Sequence, residues 1–275
     1  MPSEVQNAGG KYNNIGKGQN RLVFRNPRGN KRFYAVYDEI DFAKLAYEWS
    51  SNGTTWTNAQ VIIEDTSVLN AFDVKIQDDG SQLVVYIIWH DSSLTSYRRG
   101  TISDASDTIS FSATQTIDAA ISDILAGPQC IAIARTANGR LVVAFTEDIT
   151  VKGKQYRQTK LIGSNGDGAA PTWSGETIWD DPSGSANNDD KNQVWFGLES
   201  MSGDRVLLYT RIPDATSTTV YKATTAAPTW NGTSFANTTQ GNVLTNNANH
   251  GKILSGLVDA DNRAHLIAFD FREQR

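Results

Sequence analysis

The stretch Ser51-Asn52-Gly53-Thr54-Thr55-Trp56 closes a small polar turn with a Thr-Trp pair. The same ending recurs in Asp167-Gly168-Ala169-Ala170-Pro171-Thr172-Trp173 and in Thr224-Thr225-Ala226-Ala227-Pro228-Thr229-Trp230. A motif that returns at separated positions along one chain indicates an internal repeat, and a repeat determines the whole architecture. The unit around this turn therefore decides the fold.

A second unit recurs five times, in which a turn with Gly or Asn is followed by an apolar run that ends in an aromatic residue. Another short apolar run precedes each copy, as Phe72-Asp73-Val74-Lys75-Ile76 does. Two β-type runs joined by a tight turn predict a β-hairpin. The five copies begin at Gly29, Gly80, Gly139, Gly203 and Asn262, and end at Tyr37, Trp89, Phe145, Tyr209 and Phe269.

After each hairpin comes a third run centred on a tyrosine, then the Trp turn and a last short strand. The tyrosines of the four complete copies are Tyr47, Tyr97, Tyr156 and Tyr221, and Ser110-Phe111 replaces the Trp turn in the second copy. Four-stranded antiparallel units that recur every roughly 50 to 65 residues are typical of a β-propeller. We predict an all-β fold, a propeller of about five blades with the last one incomplete. A flat solenoid is the less favoured alternative, because its units are shorter.

The predicted domain organisation is an N-terminal arm over residues 1–18 and a single propeller domain over residues 19–275. Three explanations of the short fifth blade stay open: the blade is truncated, the chain is a piece of a longer one, or a partner subunit completes it. The predicted blades cover about 19–65, 71–118, 129–180, 192–240 and 250–275.

Composition excludes several classes of function. The 275 residues carry a formal net charge of −5, which argues against nucleic acid as a partner. No apolar run has the length of a membrane span. The single cysteine, Cys130, cannot form an internal disulfide and is expected to be a buried strand residue.

The Trp turns resemble the Asp box, or BNR repeat, of sialidases and related propellers, whose pattern is Ser-x-Asp-x-Gly-x-Thr-Trp. The first copy has Gly53, Thr55 and Trp56 in place, with Ser51 where the family has its aspartate. The later copies keep only Thr-Trp pairs, at Thr172-Trp173 and Thr229-Trp230. The resemblance implies a turn that helps folding, with the tryptophan packed between sheets rather than stacked on a sugar. Similar degenerate units occur in phage virion proteins, lectins and secreted glycosidases.

A sialidase-like active site would need three arginines, a Tyr-Glu pair and an acidic Asp. The fragment Tyr209-Thr210-Arg211-Ile212-Pro213 is similar to the family's Arg-Ile-Pro motif, but it lies late in the chain, and we interpret it as a chance match. No catalytic residue is therefore assigned.

The segments after the second-strand aromatics are acidic or charged, and in a propeller they lie on the face opposite the Trp turns. Solvated loop residues are the simpler interpretation. The functional one is a polar pocket at the channel mouth that suits sugar hydroxyls or a cation. The candidate ligand-binding residues are Asp38, Glu39, Asp41, His90, Asp91, Glu147, Asp148, Arg211, Asp214, Asp270 and Arg272.

Metal and cofactor sites are not expected, with one weak exception. None of His90, His250 and His265 has zinc-ligand or catalytic-triad neighbours in the sequence. The loop Gly163–Gly168 is the exception, because its Asp167 and its carbonyl groups suit calcium.

The predicted function is a non-enzymatic binding or structural propeller that presents polar loops to a glycan or a protein surface. A virion component, such as a phage tail or receptor-binding protein, is the favoured context, and the expected location is the virion or the extracellular space. The alternative is a sialidase-like glycoside hydrolase that uses carboxylates of the charged loops. A purely architectural chain in a homo-oligomer or larger assembly is the third hypothesis.

Overall fold

The computed structural model describes strands, turns and bends and, within the described residues, no helix. Those residues are 23–39, 44–64, 71–90, 94–118, 131–151, 154–180, 196–202, 205–213, 218–227, 236–247, 250–261 and 263–270. The chain divides into two compact units, residues 1–122 and 123–275, which are described separately.

The first unit contains two antiparallel sheets in which the strands follow chain order. Sheet 1 consists of β1 (Val23–Arg25), β2 (Phe33–Glu39), β3 (Lys44–Ser50) and β4 (Gln60–Glu64). In sheet 2 the fourth strand is interrupted, so that two short strands pair with different parts of the third. Its strands are β5 (Ala71–Asp78), β6 (Leu83–His90), β7 (Thr95–Ile102), β8 (Ser110–Phe111) and β9 (Gln115–Asp118).

The second unit contains three sheets of the same antiparallel kind. The first strands of the three sheets lie side by side, β10 next to β14 and β14 next to β18. Sheet 5 has two strands among the described residues, as predicted for an incomplete blade. Sheet 3 is β10 (Ile131–Arg135), β11 (Leu141–Val151), β12 (Lys154–Gly163) and β13 (Thr177–Asp180); sheet 4 is β14 (Phe196–Met201), β15 (Arg205–Pro213), β16 (Thr218–Ala227) and β17 (Ala236–Asn247); sheet 5 is β18 (His250–Val258) and β19 (Ala264–Asp270).

The turns between first and second strands use glycine for its backbone freedom. Gly80 and Gly139 have φ angles of +89° and +77°, a region that residues with a Cβ seldom adopt. In sheet 2, the Asp79 carboxylate accepts hydrogen bonds from the backbone N–H groups of Ser81 and Gln82, at 2.9 and 2.7 Å. These bonds hold the pKa of Asp79 well below its usual range.

The Trp turns of sheets 1 and 3 differ in length but share two contacts. The tryptophan forms an isolated antiparallel bridge with the serine at the end of the third strand or just after it, Ser50 to Trp56 and Ser164 to Trp173. An asparagine side chain accepts the backbone N–H of the threonine before each tryptophan, at 2.9 Å in both turns. These asparagines are Asn52 and Asn165. The third predicted turn, with Thr229 and Trp230, lies outside the described residues.

A hydroxyl residue directly after each aromatic closes these turns. Thr57, Ser112 and Ser174 follow Trp56, Phe111 and Trp173 and bond in both directions to the third strand. Their hydroxyl oxygens accept backbone N–H groups at 3.1, 3.1 and 3.0 Å, and their own N–H groups donate to the carbonyl oxygens of the same three residues. We call this the hydroxyl clasp; its third-strand partners are Trp49, Arg99 and Gly163.

The core of the first unit lies between the facing sides of sheets 1 and 2. Its buried tyrosines are hydrogen-bonded: Tyr34 donates to the Asp107 carbonyl at 3.0 Å, and Tyr47 accepts the N–H of Ile109 at 3.0 Å. Burial raises the pKa of Tyr34 to about 12 and also raises the pKa of Tyr47. The core thus joins two sheets through both apolar packing and satisfied hydroxyl groups.

Ion pairs join the Trp-turn ends of sheets 1 and 2. The Arg32 guanidinium meets both carboxylate oxygens of Asp107, at 2.9 and 3.1 Å. Arg28, in the first turn of sheet 1, lies 3.5 Å from Asp78, which precedes the first turn of sheet 2. The two first turns therefore lie at the same end of the unit.

Sheets 3 and 4 also lie side by side with the ends of their first strands together. An apolar cluster from both sheets includes Ala134 and Val142 of sheet 3 and Leu198 of sheet 4. The Ser200 hydroxyl, near the end of β14, donates to the carbonyl of Arg135, the last residue of β10. Since the carboxyl ends of β10 and β14 meet, the two first strands run in the same direction.

Candidate functional site

The predicted ligand-binding residues lie at the end of their sheets that is opposite the Trp turns. In sheet 1, Ser50 of the Trp turn pairs with Phe33 at the start of β2, while Glu39 pairs with Lys44 at the other end. In sheet 3, the Trp-turn end has Val142 paired with Gly163, and the far end has Val151 paired with Lys154. We call this far end, where the second strand ends and the third begins, the second-strand end.

The structure places several of these residues in strands, which corrects the expectation that they lie in loops. Pairing of β11 with β12 continues through Glu147 and Asp148, opposite Gln158 and Arg157. The ladder continues beyond the apolar run because it satisfies backbone hydrogen bonds whatever the side chains are. Asp38 and Glu39 end β2, His90 ends β6, Arg211 lies within β15 and Asp270 ends β19. Asp41, Asp91, Asp214 and Arg272 lie outside the described residues.

Within each unit, some of the predicted ligand-binding residues lie at the same end of neighbouring sheets. In the first unit, the neighbouring first turns place Glu39 and His90 at the same end. In the second unit, the shared direction of β10 and β14 does the same for Asp148 and Arg211. The ligand-binding role of all these residues stays a prediction.

His90 is the predicted residue whose side chain the structure defines best. It is 1% exposed, and its Nδ1 lies 3.1 Å from the Thr95 hydroxyl, which is itself buried. The register aligns Ala71, His90, Thr95 and Asp118 in one row across four strands. His90 therefore anchors the second-strand end of sheet 2.

One face of sheet 2 carries ionisable side chains that are buried. Asp73 and Lys75 are 5% and 8% exposed, and alternation along β5 puts them on the same face. Cross-strand pairing adds Tyr86, His90 and Tyr97 to this face. We call these five residues the polar face of sheet 2. The opposite face, with Phe72, Val74, Val85, Ile87 and Trp89, belongs to the apolar core.

The corresponding positions in sheets 1 and 3 are apolar. When the three sheets are aligned on the third-strand partners of the hydroxyl clasp, Tyr34, Tyr86 and Val142 occupy the same position of the second strand. Their partners in the first strand are Phe24, Lys75 and Ala134. Phe24 stacks on Tyr34 with 5.3 Å between the ring centroids, and Ala134 lies in the apolar cluster of the second unit. The same alignment sets Asp73 against Ala132. Sheet 2 therefore has two charged residues where sheet 3 buries carbon.

Charge on a buried face has a chemical consequence and an energetic cost. Removing a charged group from water is unfavourable unless partners compensate it, and such groups concentrate at functional sites. The Asp73 carboxylate accepts its neighbour's N–H, from Val74, at 2.8 Å. An acid, an amine, an imidazole and two phenols lie on this face, and each of them already interacts with another group of the protein.

Asp73, Lys75 and Thr95 are residues of this region that sequence reasoning does not predict. Charged residues that alternate with apolar ones in a strand normally indicate a solvated face. Only the burial of the face distinguishes this strand from an ordinary one. The available signal was the contrast with Ile131-Ala132-Ile133-Ala134, which has no charge in the equivalent strand.

The loop predicted to suit calcium has its one acid engaged elsewhere. The Asp167 carboxylate lies 2.5 Å from Nε of Arg135. In the described ranges, no three His, Cys, Asp or Glu side chains come together as metal ligands do. Over the same ranges, no helix has the length and apolar character needed to cross a membrane. His265, on a strand as predicted, bonds through Nε2 to Asp259 at 2.8 Å.

Comparison with known proteins gives a fold and no family. No family model matches the chain, and no curated protein matches its sequence. A mutant of the α-L-arabinofuranosidase arb93a from Fusarium graminearum, solved with an iminosugar inhibitor, is similar in structure with a TM-score of 0.53 at 10% identity. The match covers 98% of this chain and 74% of that one. At this identity the likeness concerns the fold, and it confirms the predicted all-β propeller.

Two sialidases are similar at lower scores. NanB from Streptococcus pneumoniae has a TM-score of 0.49 at 12% identity over 98% of this chain, and a leech intramolecular trans-sialidase has 0.48 at 15% over 82%. The match covers 50% of NanB and 33% of the leech protein, so this chain spans about a third to a half of their lengths.

Proposed function

We propose that this chain is a β-propeller module that binds carbohydrate at the second-strand ends of its sheets, without hydrolysing it. The polar face of sheet 2 forms the base of the site, with His90 and Thr95 nearest the strand ends. In this proposal Glu39 of sheet 1, at the same end of the first unit, lies beside it.

The polar face of sheet 2 is the observation that carries the proposal. Asp73 and Lys75 replace residues that are apolar in sheet 3, and both are buried. Departures from a consistent apolar pattern are expected mainly where function requires them. A ligand with many hydroxyl groups matches a surface that mixes donors and acceptors.

The fold supports the chemical class of ligand as a proposal. The similar propeller from Fusarium graminearum is an arabinofuranosidase, and its structure holds an iminosugar. One fold hosts many functions, so the residues rather than the fold have to decide. We also propose that the Trp turns are degenerate Asp boxes, since the side chains of Asn52 and Asn165 bond the turn backbone, as the resemblance implies for polar residues of the box. The virion or extracellular context stays a prediction.

Glycoside hydrolysis is the second candidate, and one observation favours it. Acidic residues occupy the second-strand end in sheets 1 and 3, at Glu39, Glu147 and Asp148. Hydrolysis needs two carboxyl groups at a suitable separation. The sequence has no recognisable sialidase set, which makes binding the preferred function.

A glycan array on the purified chain, together with a hydrolysis screen on aryl-glycosides, separates the two candidates. Binding predicts array signals for a restricted group of glycans and no turnover. Turnover that disappears in Glu147→Gln or Asp148→Asn would establish the hydrolase instead. A blank array together with a blank screen would reject carbohydrate as the ligand.

A matched pair of variants locates the binding. His90→Phe alters the second-strand end of sheet 2, whereas Trp56→Phe alters the Trp turn at the opposite end of sheet 1. We expect the first to lose the array signal and the second to keep it. The reverse pattern would place the site at the Trp turns.

A further inference from the structure

Asparagine is followed directly by glycine at four places in the chain. Three of these pairs lie within the described residues: Asn52-Gly53, Asn138-Gly139 and Asn165-Gly166; the fourth, Asn231-Gly232, lies outside them. Glycine has no Cβ, so its backbone nitrogen can approach the carboxamide carbon of the asparagine before it. Such pairs are therefore the places where a chain most readily loses ammonia and modifies itself.

Two of the pairs have glycines in the same conformation. Gly53 and Gly139 have φ angles of +73° and +77°. Each glycine also donates one hydrogen bond from its backbone N–H, at 2.9 Å to the Ser50 hydroxyl and at 3.1 Å to the Thr136 carbonyl. The asparagines before them are both exposed. Exposure and backbone conformation therefore do not distinguish these two pairs.

The two asparagines differ in what holds their carboxamide groups. The Asn52 oxygen accepts the backbone N–H groups of Thr54 and Thr55, at 2.8 and 2.9 Å. It also accepts the Ser50 hydroxyl at 3.1 Å. No hydrogen bond to the Asn138 carboxamide is found within the part of the chain that the structure describes. Turning the carboxamide toward the next backbone nitrogen therefore breaks three hydrogen bonds at Asn52 and none at Asn138.

We propose that Asn138 is a site of spontaneous modification, at which the folded chain converts asparagine to aspartate and isoaspartate. The backbone nitrogen of Gly139 attacks Cγ of Asn138, and the new C–N bond closes a five-membered succinimide ring. Nδ2 leaves as ammonia and takes with it the proton of the Gly139 amide. Water then opens the ring at either of its two carbonyl groups, so that water is the only other reactant.

The modified turn lies beside an ion pair of sheet 3. A Cβ on Gly139 would lie 3.1 Å from Nη2 of Arg135 and 3.8 Å from a carboxylate oxygen of Asp167. These two residues are already paired with each other. Deamidation therefore adds a negative charge close to a satisfied pair, and isoaspartate also adds one backbone carbon to the turn between β10 and β11.

Ageing of the intact folded chain at mildly alkaline pH tests the inference. Proteolysis followed by mass spectrometry measures the gain of about 1 Da at each asparagine, and an isoaspartate-specific methyltransferase labels the isoaspartate product. We expect Asn138 to react at least about tenfold faster than Asn52, because each hydrogen bond that has to break slows the reaction roughly fivefold. Asn138→Gln should remove the fastest signal, since the longer side chain would have to close a six-membered ring.

Unfolding provides the matched control, because it releases both asparagines while the sequence stays the same. In concentrated guanidinium chloride we expect the two rates to agree within about twofold, since glycine follows both residues. Equal rates for Asn138 and Asn52 in the folded chain, or a faster reaction at Asn52, would show that the inference is wrong. Absence of reaction at Asn138 in the folded chain would contradict it as well.

The inference is independent of the proposed carbohydrate binding. The Asn138 turn joins β10 to β11 at the Trp-turn end of sheet 3, away from the second-strand end. Asn138→Asp, which imitates one of the two products, should therefore leave any glycan signal unchanged. The ageing experiment needs no ligand, so its result stands whether or not a glycan binds.

Discussion

The two faces of sheet 2 use the same strands for different purposes. One face has Val74, Ile87 and Trp89 in the apolar core of the first unit. The other has Asp73, Lys75 and His90, buried to almost the same extent. Burial alone therefore does not identify a core. The chemistry of the buried side chains separates a face that stabilises the unit from one that we assign to binding.

The largest effect is expected from truncation on the apolar face. Ile87 is fully buried, so Ile87→Ala should lower the free energy of unfolding by roughly 3 kcal/mol through lost burial and a cavity. Urea denaturation measures this. Val61→Ala is the control, because Val61 is 48% exposed and its truncation should cost less than about 0.5 kcal/mol. Similar losses in both variants would mean that this face is not the core.

A close contact on the same face gives the next effect. A Cβ on Gly100 would lie 2.7 Å from a ring carbon of Phe111 and 2.6 Å from Ile109. Gly100→Ala should therefore cost roughly 2 kcal/mol by overpacking, measured by thermal unfolding. Gly175→Ala is the matched control, since no atom lies within 4 Å of its added methyl group. A neutral Gly100→Ala would show that the Phe111 ring can move away.

The hydroxyl clasp allows the structural role of the Trp-turn end to be tested. Ser112→Ala removes the acceptor of the Arg99 N–H and should cost about 1 kcal/mol in chemical denaturation. Thr55→Val should cost almost nothing, because the side chain of Thr55 is exposed. If both variants lost the same free energy of unfolding, the threonine of the Thr-Trp pair would stabilise the turn as much as the hydroxyl clasp does.

Tyr34 gives an effect that is seen only at high pH. Burial raises its pKa to about 12, whereas an unfolded tyrosine titrates near about 10. Between these values the unfolded chain loses a proton that the folded chain keeps, so this stabilisation is complete below about pH 10 and is lost as the pH rises through about 12. The stability of Tyr34→Phe should fall less steeply over this range in denaturation curves. Parallel curves for the two proteins would contradict the assignment.

The fold could be predicted because its determinants are local. Hairpins form around Gly80 and Gly139, both with positive φ, and the sequence identified both turns. The Trp turns were also visible, although the prediction rested on the residue before the aromatic. The structure assigns the clasp to the residue after it, as in Trp56-Thr57 and Phe111-Ser112, a pattern that was present in the sequence.

The site could be predicted only in part, because its determinants are distant in the chain. The end at which charged residues collect follows from strand order, and the sequence gives that order. The extent of the strands depends on pairing with the next strand, as for His90 opposite Thr95, and local patterns do not show it. The burial of Asp73 and Lys75 depends on tertiary packing, which the alternating pattern of β5 conceals.

The most direct test compares one variant from each face of sheet 2 in the same two assays. Asp73→Asn removes the charge and keeps an oxygen for the Val74 N–H, whereas Val74→Ala truncates the adjacent core residue. We measure the free energy of unfolding and the affinity for the oligosaccharide that binds best among arabinotriose and 3'-sialyllactose. Asp73→Asn should weaken binding at least about tenfold with little loss of stability, and Val74→Ala should lose roughly 2 kcal/mol of stability with unchanged affinity. Equal losses of stability with no change in affinity for either variant would contradict the division of the sheet into a stabilising face and a binding face.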